Sequence, residues 1–217
     1  MNETAAVIGI NTPLGKDLTG GLKNLKIKPC GASFSSEVKP EKGAESLSVT
    51  WNRRSPVSAG TVVRILSNQY KALEHIFLIY IPGLENSPFH ELSSGSIEST
   101  IDEQLKGYTF IIRNLLSLIQ KKRNISLHII IYTGGSEVLA PQDAAAAGYI
   151  RSLVSSIFTF YQNEEINING FESSAQISSD FADFILKNCI DPSPKANKRW
   201  FRFQEKSSLF GSLRKGE

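Results

Sequence analysis

Two cysteines, three histidines and a basic segment near the C-terminus are the side chains that thiol, metal or polyanion chemistry would draw on. Cys30 and Cys189 belong to no Cys-x-x-Cys or His-spaced pattern, and His75, His90 and His128 are single and scattered. The sequence therefore indicates neither a disulfide framework nor a zinc site, and no metal is expected. From Lys195 to Glu217 seven basic residues stand against two acidic ones, a local charge of +5 that leaves −2 for the remainder. Mixed with Trp200, Phe201 and Phe203, such an end reads as a strand followed by a solvated tail, so no nucleic-acid or membrane partner is expected.

The rest of the chain must supply a scaffold. With 217 residues, 41% hydrophobic and 21% charged, and a net charge of +3, the chain has an ordinary globular composition long enough for one domain with one core. Glycines without a period and only two cysteines exclude collagen and a disulfide scaffold. Met1–Thr4 carries no basic residue, and the apolar stretch Ala5 to Ile10 is too short for a signal-peptide core or a membrane span. A cytoplasmic location is expected.

Ala5 to Ile10 is a short apolar strand broken by Gly9, and Thr12-Pro13 supplies a helix cap with proline at the first helical position. This predicts strand, tight turn and helix, the helix running to about Leu25 and leading to a short strand at 25–29. Residues 30–45 are small, polar and charged, and read as an irregular loop in place of a crossover helix. Strands follow at 46–52, 75–81, 126–133, 166–170 and 199–204. Between them lie helices from Ser55-Pro56, over 96–122, 144–162 and 181–188, each with apolar residues at three-and-four spacing. Apolar strands joined by crossover-length helices predict an α/β, Rossmann-like, doubly wound and mostly parallel sheet of about seven strands with helices on both faces. One domain is expected over 1–204, with a basic tail over 205–217. Lacking a helix between the second and third strands, one sheet face is expected to be partly uncovered near Cys30 to Glu45.

Gly9-Ile-Asn-Thr-Pro13-Leu-Gly15, Tyr80-Ile81-Pro82-Gly83 and Gln104-Leu105-Lys106-Gly107, in that order and spacing, resemble the motifs of the short-chain dehydrogenase/reductase family, a likeness that covers nearly the whole chain. The family's counterparts are its opening Gly-x-x-x-Gly-x-Gly, its Asn-Asn-Ala-Gly and its Asn-Leu-Lys-Gly, respectively. Pro88-Phe-His-Glu-Leu92 and the last strand also fall where the family has theirs. The resemblance implies an NAD(P)-dependent oxidoreductase whose Tyr and Lys, four residues apart, form a proton relay.

No Tyr-x-x-x-Lys exists here: the family Tyr and Lys fall on Leu139 and Asp143. Pro13 replaces the middle glycine of the phosphate turn, removing one backbone donor where a pyrophosphate would approach. Between Asp17 and Glu37 there is no acid for a ribose. The connection before the last long helix, 172–180, is too short for the family's closing loop. These losses predict a degenerate family member without oxidoreductase activity and with no cofactor expected. It would act through self-association over the helices at 96–122 and 144–162, or through a protein partner. Two alternatives stand beside it. One is a divergent NAD(P)-dependent oxidoreductase with Tyr149, Tyr132 or Thr133 in catalysis; the other is a nucleotide-binding sensor without turnover. For either, Gly9, Asn11, Thr12, Gly15 and Gly83 are the candidate cofactor-binding residues.

Overall fold

The apolar runs 73–80 and 126–132 become central strands of a seven-stranded sheet. The computed structural model describes residues 3–34, 48–83, 87–134, 138–190 and 197–204. Its strands are β1 (Thr4–Ile8), β2 (Lys28–Ser33), β3 (Ser48–Thr50), β4 (Leu73–Tyr80), β5 (Ser126–Tyr132), β6 (Asn167–Ser173) and β7 (Trp200–Phe203). They pair in the order β3-β2-β1-β4-β5-β6-β7, and every pair is parallel. The helices are α1 (Pro13–Asn24), α2 (Pro56–Gln69), α3 (Ser94–Thr100), α4 (Gly107–Lys121), α5 (Pro141–Phe160) and α6 (Ser178–Ile190), and α3 continues into α4 through a π-helical segment, Ile101–Lys106.

Side chains alternate along each strand, so one set of apolar residues faces each way. Val7, Phe77, Ile79, Ile130 and Phe171 pack against Leu14, Leu18 and Leu22 of α1 and Phe181 and Ile185 of α6. On the opposite face Ile8, Ile76, Leu78, Ile129 and Ile168 meet Val62 and Leu66 of α2, Ile112, Leu115 and Ile119 of α4, and Ile150 and Val154 of α5. Covering both faces is what a parallel sheet demands, and it explains why β4 and β5 read as continuous apolar runs. Strand order reverses between β1 and β4, which opens a crevice at their carboxyl ends.

The second strand is displaced from its expected position. It runs Lys28–Ser33 rather than 25–29, and Leu25–Lys26 instead ends α1, with Lys26 in the left-handed region at φ 63°. Cys30, Gly31, Ala32 and Ser33 are small because the sheet closes tightly there: a Cβ on Gly31 would lie 2.3 Å from Val7 O and 3.0 Å from Ile10 Cδ1. These four residues are buried, so the expected uncovered face is filled where the chain is described. Burial also pushes the Cys30 thiol up to about 12, which keeps it protonated. Positions 35–45 of the expected loop and the basic tail over 205–217 lie outside the described residues. Helix α5 begins three residues before the expected 144, at Pro141. Among the described residues no helix is long and apolar enough to cross a membrane, and no group of three or more His, Cys, Asp or Glu side chains could hold a metal ion.

Candidate functional site

The turn at the carboxyl end of β1 is closed on itself. Gly9 adopts φ +101°, a conformation that L side chains resist. The Thr12 hydroxyl donates to Gly9 O at 2.7 Å and accepts from Gly15 N at 3.0 Å, capping α1. Gly9 N and Ile10 N donate to Ala32 O, and Thr12 N donates to Gly9 O. Four amide groups of the turn are thus engaged inside the protein, and Pro13 has none to offer. Gly15 lets the helix sit against the turn, since a Cβ there would lie 2.2 Å from Gly9 O.

Phe34, the residue after β2, lies across this turn. Its amide donates to Asn11 Oδ1 at 3.2 Å, and a Cβ on Gly9 would fall 2.7 Å from its ring and 3.2 Å from Ile79 Cβ. The ring stays put because it meets fully buried Trp51 edge-on at 5.9 Å, while the Arg53 guanidinium sits 5.4 Å from its centroid. Trp51 in turn meets Tyr108 at 5.2 Å, and Tyr108 meets Tyr80 at 5.2 Å. Edge-to-face pairs of this kind contribute about 0.5–1.5 kcal/mol each beyond their burial. Arg53 and Arg54 both pair with Glu103 of the π-helical segment, at 2.7 and 2.8 Å, fixing that segment over the row. Gly9→Ala is expected to destabilise the chain by about 2–4 kcal/mol, from the positive φ and the collision with Phe34. In urea unfolding, adding Phe34→Ala to Gly9→Ala should recover part of that loss.

At the end of β4 a second set of groups converges. Asp143, in the first turn of α5, is 2% exposed. It caps nothing in its own helix; instead its Oδ1 accepts from Gly83 N and from Gln104 Nε2, each at 3.0 Å. The Tyr80 hydroxyl donates to Gln104 Oε1 at 2.8 Å and contacts Asp143 O at 3.3 Å. Burial, with Tyr108 and the Asp143 charge nearby, drives the Tyr80 phenol far above its ordinary range, so it remains a donor. Gln104 reaches this group because it lies on the π-helical segment, where a helix widens and can redirect a side chain. The result is a clamp joining β4, the α3–α4 helix and the start of α5.

The two tyrosines and the threonine do not share this position. Tyr149 lies six residues, about 9 Å, farther along α5 than Asp143; its hydroxyl bonds Thr109 of α4 at 2.8 Å, and the side chain is 37% exposed. Tyr132 is buried, with its hydroxyl 3.4 Å from Gln176 O, and Thr133 Oγ1 points to Ser173 O at 3.4 Å. Of the candidate nucleotide residues, Gly9, Asn11, Thr12 and Gly15 form one turn, whereas Gly83 belongs to the clamp. Between β6 and α6 only Ser174 to Ile177 intervene. Sequence reasoning missed Phe34, whose one available signal was a lone aromatic in a polar stretch. It also missed the joint role of Tyr80, Gln104 and Asp143, which are far apart in the chain.

No family sequence model matches this chain, and no curated protein matches it. Solved structures do match. A short-chain dehydrogenase/reductase family oxidoreductase from Brucella ovis, in complex with a partially ordered NAD, superposes with a TM-score of 0.74 at 12% identity, covering 94% of this chain and 100% of that one. Serine dehydrogenase from Escherichia coli gives 0.73 at 18% identity, with 92% and 96% covered. ElxO with NADP bound gives 0.77 at 11% identity, with 93% and 97% covered. Together with the strand order and the two helical layers, these matches give the chain the fold of the short-chain dehydrogenases/reductases.

Proposed function

We propose that this chain is a non-catalytic representative of that fold, acting through self-association. The observation that carries the reading is Asp143. It stands where the resemblance implies a lysine ammonium, and its carboxyl group is taken up by Gly83 N and Gln104. A relay of the family type needs a phenol whose pKa an adjacent cation lowers; here Leu139 and a buried acid occupy the two positions. A weakened dinucleotide site is further supported by the turn: the amides of Gly9, Ile10, Thr12 and Gly15 are engaged internally, Pro13 lacks an N–H, and Phe34 lies against Gly9.

Self-association is supported by the outer surface of α4 and α5. A groove of about 340 Å³ between them has Ile112, Leu116, Leu153, Ile157 and Tyr161 in its lining beside polar Thr109, Arg113, Ser117 and Gln120, and a second copy would bury it. The test has two arms. Millimolar NADH or NADPH should leave the melting temperature unchanged. A dissociation constant near 100 μM would add about 1.4 kcal/mol at 1 mM ligand, raising Tm by about 3–6 °C, and would overturn the inert crevice. Sedimentation should show a dimer that Leu153→Glu converts to a monomer.

The retained turn geometry favours one second reading, nucleotide binding without turnover, since Gly9 at positive φ and a capped α1 still shape a crevice at the switch point. Saturable NADPH binding with no turnover would select it.

A further inference from the structure

Three strands away from the β1 turn, the carboxyl ends of β5, β6 and β7 and the flank of α5 border an open hollow of about 340 Å³. Glu172 lines it, with a side chain 16% exposed. One carboxylate oxygen accepts from Arg151 of α5 and the other from Arg202, its register neighbour on β7. Two guanidiniums therefore share one carboxylate, and among the described residues no other acidic side chain lines the hollow. Each guanidinium has five N–H donors in a fixed fork, more than Glu172 can accept.

The arginines are held in advance of any ligand. Arg151 lies over the Trp200 ring at 5.7 Å, and Trp200 Nε1 donates to Ser155 Oγ at 2.9 Å. Trp200 can lie there because Gly170 beneath it has no side chain: a Cβ would fall 2.4 Å from the indole. Thr133 and Ser174 also line it, the Thr133 hydroxyl donating to Ser173 O, while Ile131 and Phe203 supply apolar wall. An excess positive charge, positioned guanidiniums, neutral hydroxyls and a short apolar surface are the chemistry that recognises a small oxyanion.

We propose that this hollow binds a small organic acid or phosphate, held by Arg151 and Arg202 in competition with the resident Glu172 carboxylate. The proposal stands whether the β1–β4 crevice is inert or binds nucleotide, because it uses none of that crevice's residues.

The experiment is a titration of the ¹⁵N-labelled full chain with sodium L-malate and, separately, sodium phosphate, against sodium chloride of equal ionic strength. Saturable shifts at Thr133, Ser174 and the Arg202 Nε–H, with a dissociation constant of about 1 mM or tighter, are the expected result; the better of the two ligands identifies the oxyanion class. Arg151→Gln and Arg202→Gln should each weaken binding about tenfold, with the spectrum reporting that the fold is kept. Arg64→Gln, on exposed α2 surface, should leave it unchanged. Glu172→Gln removes the competing negative charge and should tighten binding severalfold, which a purely structural ion pair does not foresee. Shifts that chloride reproduces, that fail to saturate, or that survive both arginine substitutions overturn the proposal.

Discussion

Asp143→Ala is expected to lower the free energy of unfolding by about 2–3 kcal/mol. The side chain is 2% exposed and accepts from both Gly83 N and Gln104 Nε2. Deleting it strands the buried Gln104 amide, at about 1–3 kcal/mol, leaves the exposed Gly83 N–H to water, and frees the first turn of α5 from β4. Asp143→Asn keeps an oxygen in the same place and should lose much less. Urea unfolding of the three proteins measures both quantities. Equal stability of wild type and the alanine variant would show that the clamp does not hold these elements together, and would remove the main support for an inert crevice.

The second large effect is on acid stability. His128, 2% exposed on β5, bonds His75 Nδ1 through Nε2 at 3.2 Å and Cys189 Sγ through Nδ1 at 3.4 Å. The rings of Phe77 and Phe171 enclose it at 4.9 and 6.0 Å. Burial first, and the neighbouring His75 charge second, lower the His128 pKa well below its ordinary value; burial lowers that of His75 as well, opposed by Glu3. The unfolded chain therefore binds protons at a pH where the folded chain does not. Stability is complete above the unfolded value near 6.5 and falls as the pH drops below it, by about 1.4 kcal/mol per pH unit for His128 until its folded pKa is reached. Denaturation midpoints at pH 7.5 and 5.5 should differ accordingly, and the difference should shrink in His128→Leu. An unchanged difference in that variant would assign the acid sensitivity to other groups.

What the sequence disclosed depended on how local the signal was. Ile76 to Tyr80 and Leu127 to Tyr132 announce buried strands by composition alone, because a sheet covered on both faces leaves no polar alternation. Thr12-Pro13 and Ser55-Pro56 announce helix starts because a cap and its helix are neighbours in the chain. Strand β2 was harder to place: its buried residues are Cys30, Gly31, Ala32 and Ser33, selected by lack of space rather than by hydrophobicity. At the site, the lysine missing from position 143 was legible, but what Asp143 does instead was not. Its partners lie 39 and 60 positions away and meet it through a helical irregularity that no periodicity marks.

That irregularity makes the chain sensitive to length as well as to composition. The wider turn over Ile101–Lys106 accommodates one residue more than a regular helix would. An in-frame deletion of one codon there would restore ordinary winding and keep α3 and α4 in phase, but re-aim the side chains of the segment itself. Glu103 would turn away from Arg53 and Arg54, and Gln104 from Asp143, although no side chain that makes those contacts had been replaced.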